Sequence, residues 1–377
     1  MKKLFSIVIC VMALLFAGCE PNAPATSSKV ETGAASDITT ESVVLHGVVN
    51  VDISQYDDVE FGMMISEVKD DLNNRDGEMY KAKVLMGKDF ELTIDWLSPE
   101  TKYYYCAWVL LNNTQYEFGA IKEFVTIKDD NPTSNYTAKA FSVSSSKQVY
   151  FSPGNLQYHP ANNKWRFAKN QIDYIGTSNS NCSSTYDGWL DLFGWSTGAT
   201  NFGVSTSTDE DDYYGSFVDW GTNKIGADAP NTWRTLTAYE WEYVVFNRPN
   251  ASSLCGVAQV NGVNGLILLP DNWICPAGIT FKSGFHSSKG VDYYAAYQTF
   301  DAAQWSKLEA AGTVFLPASG YRSGAEVSNV QDRGYYWSAT EYDSDLAGLL
   351  YFNSAVAVVD YAYYRYNGRF VRLVKDL

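Results

Sequence analysis

Apolar and polar positions alternate in short bursts over the first third of the chain. Ser42–Asn50, Asp58–Ser66, Asp89–Leu97 and Tyr116–Ile127 carry apolar residues in short runs, with turn-forming residues between them. Regular short strands without helical periodicity predict a β-sandwich over residues 31–127. Next comes Lys128-Asp-Asp-Asn-Pro-Thr-Ser-Asn-Tyr-Thr137, which is charged, contains proline and has no period. Residues 128–137 read as an interdomain linker.

Residues 138–377 have a different texture. Strands are predicted on either side of Ser152-Pro-Gly-Asn155 and from Trp165. A hairpin is predicted with arms Val257–Val260 and Leu266–Leu269, turning at Asn261-Gly-Val-Asn-Gly265. Two helices have start signals. Thr237 and Glu240 form a capping box, and the helix runs to about Asn247 with Trp241, Val244 and Val245 on one face. Asp301 and Gln304 open the second helix, which passes Trp305 and Leu308 and stops at Gly312. Residues 176–232 are a long stretch of Gly, Ser, Thr, Asn, Asp and aromatics with few aliphatics, of the kind that is usually functional or mobile. Within it Gly188–Trp195 is expected to pack on the core. The expected fold is mainly β, with an α+β C-terminal domain.

The last forty residues concentrate the candidate chemistry. Leu349-Leu350 and Val356, Val358 and Val359 read as strands, and Asp360–Asn367 as a loop from which Gly368 lets the chain return. Scattered among them are Tyr342, Tyr351, Tyr361, Tyr363, Tyr364 and Tyr366 with Asp343, Asp345 and Asp360. In the loop Tyr361 and Tyr363 share one phase, and Tyr364 and Tyr366 the other. Tyrosine offers a large, rigid, amphipathic surface at low entropic cost, and aspartate adds adaptable hydrogen bonds. These nine residues are the expected ligand-binding face, with Trp337, Phe352, Phe370 and Arg372 as scaffold. The whole chain holds 27 tyrosines, more than a core needs, which also points to surfaces that touch something.

The N-terminus begins with Lys2 and Lys3, an apolar run from Leu4 to Phe16, and Ala17-Gly18. This is the pattern of a secretory signal peptide over residues 1–18, and the run is too short for a comfortable membrane-spanning helix. Residues 19–30 are rich in Pro, Ala and Ser and read as a tether. Ala17-Gly18-Cys19 resembles the lipobox of bacterial lipoproteins. That resemblance implies a lipid on Cys19, a membrane contact through this anchor, and a place at the outer membrane or cell surface.

The formal net charge is −15 with no basic stripe, which argues against nucleic acid as a partner. Leaving Cys10 and Cys19 aside, the cysteines are Cys106, Cys182, Cys255 and Cys275. An exported chain can form disulfides, and Cys255 and Cys275 flank the predicted hairpin as a candidate pair. Cys106 lies out of phase with Tyr103, Tyr105 and Ala107 and reads as a free thiol on the opposite face of its strand. With three histidines and no Cys-x-x-Cys, zinc and haem sites are not expected. Asp209, Asp211 and Asp212, with Glu210, offer oxygen ligands suited to calcium, but lack EF-hand spacing, and the competing reading is a solvated acidic loop. No other cofactor is expected. No Ser-His-Asp order and no carboxylate pair stands out, so the chain is not expected to be an enzyme.

Two stretches resemble known families. Leu97-x-Pro99-x-Thr101-x-Tyr103-x-Tyr105-x-Ala107 resembles the E–F corner and F strand of fibronectin type III domains, with Leu45 where a strand-B tryptophan is usual. Trp233-Arg-Thr-Leu-Thr-Ala-Tyr-Glu-Trp-Glu-Tyr243 resembles a segment of formylglycine-generating enzymes. Leu268-Leu-Pro-Asp-Asn-Trp273, Phe315-Leu-Pro-Ala-Ser-Gly-Tyr-Arg322 and Tyr336-Trp-Ser-Ala-Thr340 resemble secreted lipoproteins of Bacteroidetes with a C-type-lectin-like version of that fold. This resemblance implies a two-helix C-type-lectin-like domain over 138–377. Some relatives are variable proteins of diversity-generating retroelements, in which a segment like 338–372 displays changing ligand contacts. The enzymes of the family use cysteines near the C-terminus, and here none follows Cys275. The functional expectation is a lipid-anchored surface protein that binds a glycan or protein ligand. The alternatives are a structural part of a surface assembly, such as a pilus tip or envelope complex, or a carbohydrate-active enzyme.

Overall fold

A computed structural model describes residues 28–95, 97–127, 136–197 and 205–377. The expected signal peptide, Cys19, most of the tether and most of the linker lie outside the described residues. The chain divides into two compact units, Met1–Asp129 and Asp130–Leu377.

The first unit holds β1 (Val30–Ser36), β2 (Ser42–Val49), β3 (Val59–Ser66), α1 (Lys69–Asn74), β4 (Glu78–Lys81), β5 (Asp89–Asp95), β6 (Lys102–Leu111), β7 (Gln115–Phe118) and β8 (Lys122–Val125). One sheet has the order β1-β2-β5. The other runs β4-β3-β6-β7, with β8 also on β6. On β2 the two-residue period puts Val43, Leu45 and Val49 inward, where they meet Phe90, Ile94, Tyr105 and Ala107. This is a fibronectin type III-like β-sandwich. Its corner is closed by Tyr103, whose hydroxyl accepts a 2.9 Å hydrogen bond from the Ser98 backbone N–H. The opposite face of β6 is covered too. Cys106 packs there with Met64, Leu72 of α1 and Trp108, and its thiol is free.

The second unit contains β9 (Phe141–Ser142), β10 (Gln148–Phe151), β11 (Leu156–His159), β12 (Lys164–Phe167), β13 (Arg234–Thr235) and α2 (Ala238–Glu242). These are followed by β14 (Cys255–Val260), β15 (Val263–Leu268), α3 (Asp292–Tyr297), β16 (Thr299–Phe300), α4 (Ala302–Ala310) and β17 (Val314–Pro317). The last elements are β18 (Tyr321–Ser323), β19 (Glu326–Ser328), β20 (Arg333–Glu341), β21 (Leu346–Asn353), β22 (Val356–Tyr364) and β23 (Leu373–Asp376). Its principal sheets have the orders β13-β23-β10-β9, β16-β14-β15-β17 and β20-β21-β22. Both capping boxes form, at Thr237/Glu240 and at Asp301/Gln304. A π-helical turn extends α2 to Asn247 and keeps Trp241, Val244 and Val245 in the core.

The structure corrects several expectations. The helical content is larger than two helices: α3 lies in the second unit and α1 in the first. The 255–268 hairpin turns on Asn261 and Gly262 alone, with φ of 46° and 83°. Two consecutive residues at positive φ make the tight turn whose twist matches the strands, so both arms are longer than the sequence pattern marks. Cys255 and Cys275 are not bridged. Cys255 points into the main core from the start of β14, whereas Cys275 is exposed with its thiol on the Ile279 carbonyl. Lastly, Asp360–Tyr364 is strand, not loop: β22 continues through it, paired to β21.

Candidate ligand-binding face

The sheet β20-β21-β22 carries buried residues on both sides, and the two sides differ. Tyr336, Leu350, Phe352 and Ala357 belong to the main core with Trp241 and Val244. Tyr335, Trp337, Ala347 and Leu349 belong to a second, tryptophan-rich cluster with Trp195, Trp220 and Val371. The irregular segment Gly188–Trp195 supplies part of it, since Phe193 and Trp195 are fully buried there.

A bulge decides which side the C-terminal tyrosines face. Leu349 pairs with Tyr361, but Tyr351 pairs with Val358, so β22 carries one extra residue between these positions. A bulge of this kind re-aims every side chain beyond it. Without it Tyr361 and Tyr363 would continue the phase of Ala357 and Val359, which pack on the main core. With it they join Tyr351 and Tyr335. The rings touch in series: Tyr351–Tyr361 at 6.0 Å, Tyr361–Tyr363 at 5.1 Å, Tyr335–Tyr351 at 5.1 Å and Tyr335–Tyr321 at 5.4 Å between centroids. Tyr361 is 48% exposed; Tyr351, Tyr363 and Tyr321 are half-buried and Tyr335 is buried.

Beneath this row lies Arg369. Its backbone is fixed by reciprocal hydrogen bonds with Phe193, and Phe370 beside it is bonded to Tyr335 and Trp337. Gly368 admits the crossing, since a Cβ there would stand 3.0 Å from Cβ of Arg322 and 3.1 Å from the Leu192 carbonyl. The Arg369 guanidinium lies over four rings: Tyr335 and Tyr363 at 4.3 Å, Tyr321 at 4.9 Å and Trp337 at 5.7 Å. Burial pushes its pKa down to about 10, and burial pushes the Tyr363 hydroxyl up to about 12.

Tyr364 and Tyr366 lie apart from this row, as period two requires. Their rings stack at 5.1 Å, and Tyr213 meets Tyr366 at 6.5 Å. Asp343 and Asp345 belong to the β20–β21 hairpin. Asp343 Oδ1 accepts the Asp345 and Leu346 backbone N–H groups and so shapes the turn. Asp345 accepts from the Tyr214 hydroxyl, which lifts that phenol to about 12. Tyr342 is exposed nearby. Below the hairpin Arg365 stacks on Trp195 at 4.4 Å and bonds the Gly215 and Asp343 carbonyls and the Glu341 carboxylate. The side chain of Asp360 lies outside the described residues.

The nine expected residues therefore do not form one face. Tyr351, Tyr361 and Tyr363 come together in one row, and of these three Tyr363 lies over Arg369. Tyr364 and Tyr366 stack on each other with Tyr213 beside Tyr366, and Asp345 meets Tyr214. Tyr321, Tyr335 and Arg369 were missing from the expected set. The one signal for Arg369 in the sequence is a charge directly before the apolar pair Phe370-Val371, three residues ahead of the scaffold residue Arg372. The calcium candidates do not converge either. Asp209 caps a short 3-10 turn by accepting the Asp211 N–H, and no group of three or more metal-ligating side chains occurs among the described residues.

Residues 297–374, which include β20–β22 and Arg369, match a family model described as "Domain of unknown function (DUF8237)". No curated protein sequence matches the chain. Among solved structures the chain is similar to the sensor domain of the anti-sigma factor RsgI4 of Pseudobacteroides cellulosolvens. The identity is 20% over 28% of this chain and 98% of that one, with a TM-score of 0.21. It is also similar to a fibronectin type III domain of the human KIAA0970 protein, at 21% identity over 27% of this chain and 76% of that one, with a TM-score of 0.21. At these scores neither likeness carries a functional argument.

Proposed function

We propose that this chain is an exported surface protein, held at the outer membrane by a lipid on Cys19. Its second unit is a C-type-lectin-like domain that binds a glycan or protein ligand. The first unit is a spacer, and the chain performs no catalysis. The observation that supports binding is the row Tyr351–Tyr361–Tyr363. Its rings touch in series, one pair stacked and one tilted, and are partly exposed, whereas Tyr294 and Tyr336 are fully buried and bonded through their hydroxyls to backbone carbonyls. Tyrosines placed this way offer stacking area with little entropy left to lose on binding.

The test is a ligand screen with the full chain and the double variant Tyr361→Ala/Tyr363→Ala, whose two positions share one face. Loss of ligand with an unchanged unfolding midpoint supports the assignment. Retained binding by the folded double variant removes this face from consideration.

A further inference from the structure

Five arginines of the second unit are buried: Arg248, Arg322, Arg365, Arg369 and Arg372. Four of them are hydrogen-bonded through the guanidinium. Arg248 reaches the Val244 and Leu269 carbonyls and Asp271, and Arg322 the Ser205 and Gly324 carbonyls. Arg365 holds the acidic hairpin, and Arg372 bonds Gln171 and Asn155. The Arg369 guanidinium makes no hydrogen bond among the described residues, and its Nε and Nη1 are closed to solvent without an acceptor.

Aromatic faces steady a guanidinium through its π-facing sides but use none of its five in-plane N–H donors. Buried donors in folded proteins are nearly always paired, so an unused fork beneath a tyrosine row calls for a partner. The surroundings divide into a fixed floor and untethered walls. Tyr335 and Tyr351 are held through their hydroxyls, by Arg333 and by Asn353 Nδ2 at 2.7 Å. Among the described residues the Tyr321, Tyr361 and Tyr363 hydroxyls make no hydrogen bond, so no hydrogen bond tethers the Tyr321 and Tyr363 rings that lie against Arg369.

We propose that Arg369 is the receptor for a single carboxylate on a terminal acidic sugar whose ring packs on Tyr351, Tyr361 and Tyr363. This rests on the binding reading above and narrows its ligand. A planar carboxylate matches the planar fork of the guanidinium and takes two of its free donors at once. Stacked phenol rings offer apolar faces to the C–H face of a pyranose. The net charge of −15 repels extended polyanions, which leaves an otherwise neutral chain ending in one acidic residue.

The experiment uses the full chain on matched oligosaccharide pairs that end in glucuronic acid or, after carboxyl reduction, in glucose. The acid member should bind at least ten-fold more tightly to the wild-type protein. Arg369→Met should reduce it to the level of the neutral member, and Arg369→Lys should recover only part of the preference. Because the ligand-side comparison needs no variant, it stands even where a variant folds poorly. Equal binding of both members, or an acid preference that survives Arg369→Met, overturns the proposal. Arg369-dependent capture of acidic peptides without acidic glycans overturns the sugar assignment. Binding that depends on Tyr361 and Tyr363 but ignores the carboxylate defeats this inference and leaves the tyrosine face standing. Loss of both dependences defeats the face itself.

Discussion

Replacing Arg369 with methionine should leave the second unit at least as stable as it is now, although it removes the largest charge beneath the tyrosine row. Burial holds the guanidinium pKa at about 10 against its ordinary 12.5. At about 1.4 kcal/mol per pH unit, that difference is a cost of roughly 3 kcal/mol. The sign follows from linkage. The folded pKa is depressed, so the folded state disfavours the charged form, and the cost is present in full at every pH below about 10. Methionine keeps the stem and the ring contacts through its sulfur, so only the excess of cation–π attraction is lost, about 1 kcal/mol for the two rings at 4.3 Å. A smaller side chain also leaves some unfilled volume, at a cost of about 1 kcal/mol. The balance lies between zero and about 2 kcal/mol in favour of methionine, which corresponds to roughly 2–4 °C per kcal/mol in a domain of this size. Lysine should be less stable than arginine, because a compact, strongly hydrated ammonium stacks poorly on rings. Calorimetry of the three proteins at neutral pH ranks them. A methionine variant less stable than the lysine one, or below wild type by more than about 2 kcal/mol, would mean that Arg369 is a structural member held by its rings, and the reasoning fails.

Three further outcomes are expected. Tyr103→Phe leaves the Ser98 N–H without its acceptor and should cost the first unit about 1–3 kcal/mol, seen as a lower unfolding midpoint and faster hydrogen exchange along β6; an unchanged midpoint would contradict the corner. Asp191 is fully buried, accepts from the Ile175 N–H and Asn179 Nδ2, and is pushed by burial from 3.8 to about 7. The folded state then keeps a proton that the unfolded chain loses, so stability should fall as pH rises from about 4 to about 7, by up to about 1.4 kcal/mol per pH unit. Denaturant titrations across that window should show the slope flattened in Asp191→Asn, and an identical slope would count against it. Alkylation of the native protein without reductant should modify Cys275 first and spare Cys106, Cys182 and Cys255, which are buried; a peptide joining residues 255 and 275 would contradict the free thiols.

The sequence by itself determined what depends on neighbours a few residues apart. The period of Ser42–Asn50, the Leu97–Ala107 corner, both capping boxes and the glycine stop at Gly312 are local signals, because strand alternation, turns and caps are settled within one or two turns of chain. The face of Cys106 was legible for the same reason. The tertiary structure decided what depends on distant partners. The length of β22 and its bulge follow from pairing with β21, and the bulge turns Tyr361 and Tyr363 away from the main core and brings Tyr363 over Arg369. Pairing of Cys255 and Cys275 also looked open at the level of spacing, yet burial of one and exposure of the other separate them. The role of Arg369 was not legible because a charge beside Phe370-Val371 carries no local mark of which rings surround it. Phe193, Tyr321, Tyr335, Trp337 and Tyr363 come from four separate stretches, and only the packed sheet places their backbone and rings around one unpaired guanidinium.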